Sequence, residues 1–155
     1  CIGMGEVNAF AMPVYLMSTA FNMIELVDNY TGKTIGNALC YFVKDKKNTP
    51  IFVIDNIEIN NSKIPSDKTG IELRKKIFEY AENIAKSIIG QETKVIISTN
   101  YNDVKLENGL IFNDETLKLI GDFCSNIIYM DLFDGWTENT FKNVRFAEKI
   151  KQPLR

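Results

Sequence analysis

The residues best placed to do chemistry lie between Phe52 and Ile89. There the strand-like run FVIDNIEIN (52–60) gives way to the polar loop NSKIPSDKTG (61–70) and then to the helical run IELRKKIFEYAENIAKSII (71–89). A glycine where a helix begins lets the backbone approach a ligand closely, and the first helical amides have no partner inside the helix. Gly70 in that position forms a cradle suited to a phosphate or pyrophosphate. Neither a GxGxxG fingerprint nor a GxxxxGK[ST] loop accompanies it, which weakens a nucleotide-binding reading. Gly3 and Gly5, in CIGMGEV, follow no strand and make no phosphate motif.

Several chemistries are excluded outright. The chain has no histidine, so it lacks a Ser-His-Asp or Cys-His arrangement, a histidine base and histidine-containing zinc sites. The acidic residues form no compact set of metal ligands. Cys1, Cys40 and Cys124 are far apart and odd in number, without the close pairing of a zinc knuckle or a CxxC redox site. They read as reduced thiols, buried or half-buried. In ALCYFV, Cys40 reads as a buried apolar residue rather than a nucleophile. A net charge of -2 without a long basic stripe gives no general attraction to nucleic acid.

The elements that must position these residues follow from the rhythm of the chain. With 155 residues, 45% hydrophobic and 25% charged, it can bury one sizeable core. One domain over residues 1–155 is expected. Cys1 in place of methionine suggests a processed chain or a segment of a longer polypeptide; an N-terminal cysteine can also be an autoprocessing nucleophile, but nothing else in the chain supports that role. No apolar stretch is long enough to span a bilayer, and a cytoplasmic setting without membrane contact is expected.

NAFAMPVYLMSTA (8–20) reads as a short helix interrupted or started near Pro13. MIELVD (23–28) and TIGNALCYFV (34–43) form a hairpin across the turn NYTGK, with Gly36 marking a bulge or a tight backbone approach. After the turn DKKNTP (45–50), IFVIDNIEIN (51–60) is a central strand. Strict alternation puts Ile51, Val53, Asp55, Ile57 and Ile59 on one face, with Phe52, Ile54, Asn56, Glu58 and Asn60 on the other. Residues 70–89 form an amphipathic helix whose apolar face is Ile77, Phe78, Ala81, Ile84, Ala85 and Ile88, stopped by Gly90. KVIIST (94–99) completes a strand–helix–strand unit with its two strands parallel. NYNDVKLENG (100–109) is loop, DETLKLIGDF (114–123) a short helix capped by Asp114, and SNIIYMDLF (125–133) a strand. The closing segment from Gly135 packs through Phe141, Val144, Phe146 and Ile150, as strand or helix. Trp136, in LFDGWTENT, lines a pocket or partner surface or packs the C-terminal segment.

The order of MIELVDNYTGKTIGNALCYFV, FVIDNIEIN, TGIELRKKIFEYAENIAKSIIG and KVIISTN resembles the GCN5-related N-acetyltransferase (GNAT) fold over roughly residues 22–132. The likeness lies in order and character rather than in a dense motif. It implies an α/β fold (an α+β mixed sheet), with an antiparallel hairpin leading into the strand–helix–strand unit. In that family an Arg or Gln, two residues, a glycine, one residue and a glycine or alanine mark the helix start. Here Asp67-Lys68-Thr69-Gly70-Ile71-Glu72 keeps the first glycine but places Asp67 and Glu72 at the flanking positions. Both add negative charge beside a pyrophosphate unless Lys63, Lys68, Arg74 or Lys75 compensates.

The resemblance implies acetyl-CoA (acetyl-coenzyme A) held in an opening between the strands at 51–60 and 94–99. Ile57 and Ile59 would flank the pantetheine arm. The amides around Lys68, Thr69, Gly70, Ile71 and Leu73 would hold the pyrophosphate, with Asn102 beside the thioester. Glu58 is the implied general base and Asp55 the second choice; Tyr101 or Tyr129 would protonate the departing thiolate. The acceptor would be an amine on a small molecule, peptide or protein. A noncatalytic GNAT-like structural or interaction domain of a larger protein is the alternative, favoured by Asp67 and Glu72.

Overall fold

Asp28 closes the first hairpin with its own carboxylate, which accepts hydrogen bonds from the amides of Tyr30 at 2.8 Å and Thr31 at 2.9 Å. The computed structural model describes residues 20–60, 62, 64, 66–90, 93–98, 110–120, 127–130, 135–138 and 142–149. The paired strands of that hairpin are β1 (Phe21–Val27) and β2 (Thr34–Lys44). After a second turn comes β3 (Pro50–Ile59), then the helix α1 (Asp67–Ile89) and β4 (Lys94–Ser98). The remaining strands are β5 (Leu110–Leu119), β6 (Ile127–Met130), β7 (Gly135–Glu138) and β8 (Lys142–Lys149). The expected short helix before the first hairpin lies outside the described residues.

The fold is α+β with a mixed sheet. Six strands pair in the order β1-β2-β3-β4-β8-β5, and β6 with β7 forms a separate two-stranded sheet. β3 and β4 are parallel, joined through α1, while the sheet's other neighbours are antiparallel. The sheet also curls until β5 meets the far end of β2, at Val43↔Leu119 and Lys44↔Lys118. Strands β2, β3, β4, β8 and β5 therefore close a ring, with β1 appended to β2.

Two cores follow from this closure. Inside the ring sit Leu39, Tyr41 and Val43 from β2, Ile51 and Val53 from β3, Ile96, Phe146, Leu117 and Leu119. On the other side of β2, β3 and β4, α1 packs Ile77, Phe78, Ala81 and Ala85 against Phe52, Ile54, Val95 and Ile97. Each fully buried large apolar side chain contributes about 1.5–3 kcal/mol by leaving water. Because β3 lies between the two cores, both of its faces begin apolar, unlike a strand with one wet face.

Two expectations are corrected here, and one left open is settled. Residues 114–119 belong to β5 instead of a short helix. The reason is period two: Leu117 and Leu119 are buried inside the ring, Thr116 and Lys118 are half-exposed, and pairing with β8 and β2 overrides the local helical signal. The closing segment, open between strand and helix, is strand over Lys142–Lys149, and of its packing residues Phe146 is buried in the ring. Ile88, expected on the buried face of the helix, is 59% exposed. Ile89 beside it is 40% exposed as well, so the last turn of the 23-residue helix is not covered as its middle is. Gly90 does end it, with φ 124° and its amide donating to the Lys86 carbonyl at 3.0 Å. Among the described residues, no helix is long and apolar enough to cross a membrane.

Candidate functional site

The site begins with an extra residue in β3. Cys40 of β2 pairs with Ile54, but the next residue back, Leu39, pairs with Asn56. Asp55 is the additional residue, a β-bulge that reverses the strand's alternation. Strict alternation would place Ile57 and Ile59 with Ile51 and Val53. Instead Ile57 joins Phe52 and Ile54 in the core under α1, and Ile59 packs against that core. The spacing Ile54, Ile57, Ile59 explains the bulge: three apolar residues reach the helix side only if one residue is added after Ile54. Glu58 consequently turns to the face opposite α1, where it is half-buried.

Asp55 is 2% exposed and accepts a hydrogen bond from the Tyr41 hydroxyl at 2.5 Å. Ser98, at the end of β4, is fully buried too. Among the described residues, no buried side-chain nitrogen or oxygen lacks a hydrogen-bond partner. The arrangement gives Asp55 a structural role at the bulge and leaves Glu58 as the more accessible carboxylate on this strand. Sequence reasoning missed Tyr41. Its signal was present: a tyrosine alternating with Leu39 and Val43 on a buried face needs a partner for its hydroxyl.

Burial pushes the Cys40 thiol far up from its ordinary value, and the charge of Asp55 adds to the effect. Such a thiol stays protonated and unreactive, in agreement with its reading as a buried apolar residue.

The helix start differs from the expected cradle. Ser66 is the N-cap and α1 begins at Asp67, so Gly70 lies one turn inside the helix. The Thr69 amide donates to the Ser66 hydroxyl oxygen at 3.3 Å, and the Gly70 amide to the Ser66 carbonyl at 3.2 Å. A methyl group on Gly70 would meet Arg74 Nη1 and Ile64 Cδ1, each at 3.2 Å. Gly70 thus accommodates the packing of Ile64 and Arg74, and the amides of Gly70, Ile71 and Leu73 belong to the helix rather than to its open end. Lys68 is exposed in the first turn. Lys75 pairs with Glu72 at 3.2 Å, which supplies part of the charge compensation this acidic helix start requires.

β3 and β4 pair in parallel from Ile51↔Lys94 to Ile54↔Ile97, so the bulge directly follows the last pair of that ladder. Ile57, Glu58 and Ile59 lie at the end of β3, and Lys68 and Thr69 in the first turn of the helix that follows it. The structure does not bring Tyr129 into the same sheet: that residue is on β6, opposite Trp136 of β7. Trp136 is therefore in a strand. Tyr101 and Asn102, with Cys1, Cys124 and Lys63, lie outside the described residues. Among the described residues, no group of three or more Cys, Asp or Glu stands close enough to hold a metal ion.

Comparison with protein-family models, curated proteins and solved structures finds no match to this chain.

Proposed function

We propose that the chain is a GNAT-like N-acyltransferase domain that uses acetyl-coenzyme A as donor and an amine on a small molecule or protein as acceptor. The observation that carries this reading is the place of the bulge. It falls one residue past the Ile54–Ile97 pair of the parallel ladder, and it turns Glu58 away from α1. One strand–helix unit thus carries a carboxylate at the end of its strand and, at the start of its helix, a terminus of the kind that binds anions.

Bound acetyl-coenzyme A supplies the activated acyl group. With Ile57 buried under α1, the half-buried Glu58 and Ile59 are the part of this strand left to meet such a donor, whose pyrophosphate would rest on Lys68 and the outermost end of the first turn of α1. The Thr69 and Gly70 amides are already satisfied by Ser66. Glu58 would take the proton of the acceptor nitrogen as the acyl group passes to that nitrogen and the coenzyme's thiolate is released, and Tyr101 or Tyr129 would return a proton to the leaving sulfur. Orientation of the two reactants is the larger part of the work.

A noncatalytic structural or interaction domain is the second reading, favoured by the same Ser66 cap and by the packing of Ile64 and Arg74 around Gly70. Calorimetric titration of the folded chain with acetyl-coenzyme A separates the two. Saturable binding weakened by Lys68→Glu supports the acyltransferase; absence of heat at millimolar donor rejects it in favour of the noncatalytic domain.

A further inference from the structure

The close contact between β2 and β3 lies at the residue to which the base is assigned. Gly36 is buried, and a Cβ added to it would stand 2.7 Å from the backbone oxygen of Glu58, 3.3 Å from Ile59 Cγ1 and 3.4 Å from Ile59 Cα. Two of these three neighbours are main-chain atoms, so no flexible side chain can yield. Glycine inside a strand marks a place where another backbone comes unusually near.

The surroundings converge on the same peptide. Gly36 pairs with Ile59 and Asn37 with Glu58. On the other edge of β2, Leu26 pairs with Gly36 but Val27 with Thr34, which makes Ile35 an extra residue beside the glycine. The Ile35 carbonyl then accepts from the Asn60 amide at 2.8 Å, fastening the end of β3 just past Glu58. The bulge at Asp55 selects the face that Glu58 takes, and the contact at Gly36 sets how far its peptide stands from β2.

We infer that Gly36 is a positioning residue for Glu58: its lack of a side chain seats the Glu58 peptide against β2 and so fixes where the carboxylate is presented. This inference rests on the proposed acyltransferase reading for the role of Glu58, but the seating itself is a property of the fold. It adds a residue on a neighbouring strand that touches neither donor nor acceptor. Gly36→Ala must displace the Glu58 carbonyl, because contacts below 3.0 Å are not sustained by real Cβ atoms.

The experiment combines amide exchange with steady-state kinetics on the full chain. In the unmodified protein, the Asn60 amide exchanges slowly, within tenfold of the amides in the middle of β3. In Gly36→Ala, its exchange accelerates at least tenfold, kcat for acetyl transfer falls at least tenfold, and KM for acetyl-coenzyme A stays within twofold. Ala38→Gly on the same strand, which adds no clash, leaves the Asn60 protection in place. A merely structural glycine would lower stability without separating kcat from KM. Retained Asn60 protection in Gly36→Ala, or lost protection with unchanged kcat, overturns the inference. Should Gly36→Ala not fold, the Asn60 amide in the unmodified protein decides: free-loop exchange refutes the seating and slow exchange upholds it. Should the unmodified chain transfer no acetyl group, the acyltransferase reading fails, and Asn60 exchange in Gly36→Ala alone decides the seating.

Discussion

The two halves of β3 carry the same kind of sequence and serve different ends. From Ile51 to Ile54 the strand is paired with β2 and β4, and its side chains are at most 2% exposed, filling both cores. From Asn56 to Ile59 it runs on beside β2, and Asn56, Glu58 and Ile59 are half-buried. Asp55 separates the halves. The first half contributes stability; the second presents polar groups from a backbone held rigid by the first. A residue inserted at the junction lets one strand do both, because it resets which face each later side chain takes.

The largest expected effect tests the first half. Phe52→Ala should cost about 3–5 kcal/mol, through lost burial and the cavity left beside Phe42 and α1. Ile59→Ala, at the half-buried end, should cost less than half as much by urea unfolding. Equal costs would erase the distinction between the halves.

Glu58→Gln tests the second half. On the proposed acyltransferase reading it should slow acetyl transfer by roughly 100-fold or more, as loss of a general base does, while moving the unfolding midpoint little. An unchanged rate would remove Glu58 from the chemistry.

The junction is tested by Tyr41→Phe, which takes the hydroxyl from a buried carboxylate and should cost about 1–3 kcal/mol. Asp55→Asn keeps an acceptor for that hydroxyl and should cost less; the reverse order would show that the Tyr41 bond is not what holds Asp55.

Cys40, pairing with Ile54 just before the bulge, gives a pH test with a definite sign. Its folded-state value is raised above the ordinary 9.0, chiefly by burial and further by Asp55. The stability linked to its neutral thiol is therefore complete below 9.0 and lost as pH rises, at about 1.4 kcal/mol per pH unit. The difference in unfolding free energy between the natural chain and Cys40→Ala should narrow or reverse above 9.0. A difference independent of pH would mean that Cys40 is reached by solvent in the folded protein.

The smallest effect lies at the turn that leads into β3. At Asp45 slight burial acts upward, but amide bonds from Thr49 and Lys47 outweigh it and hold the carboxyl below its ordinary 3.8. The turn's contribution is present above 3.8 and lost as pH falls through the lower folded value. The Lys47 and Thr49 amides should lose their hydrogen-bonded chemical shifts there before the core of β3 melts.

Much of the frame was legible. The first hairpin, β3, α1 and β4 follow from period-two and period-3.6 patterns long enough to outweigh local ambiguity, and Gly36 announced its close approach. Ser66-Asp67-Lys68-Thr69 carried an N-cap signal that Gly70 overshadowed, so the helix begins earlier than the glycine suggests. The short run 114–119 was misread because LKL fits either period, and its partners β2 and β8 are distant in sequence.

By itself the sequence determined which stretches extend or coil, since side-chain spacing acts between neighbours along the chain. It also determined that no side chain of these 155 residues can do histidine chemistry. Only the tertiary structure decided the ring closure of β5 on β2, the Tyr41–Asp55 bond and the face of Glu58. Each depends on register between strands, and register is chosen by which apolar sets meet across the sheet.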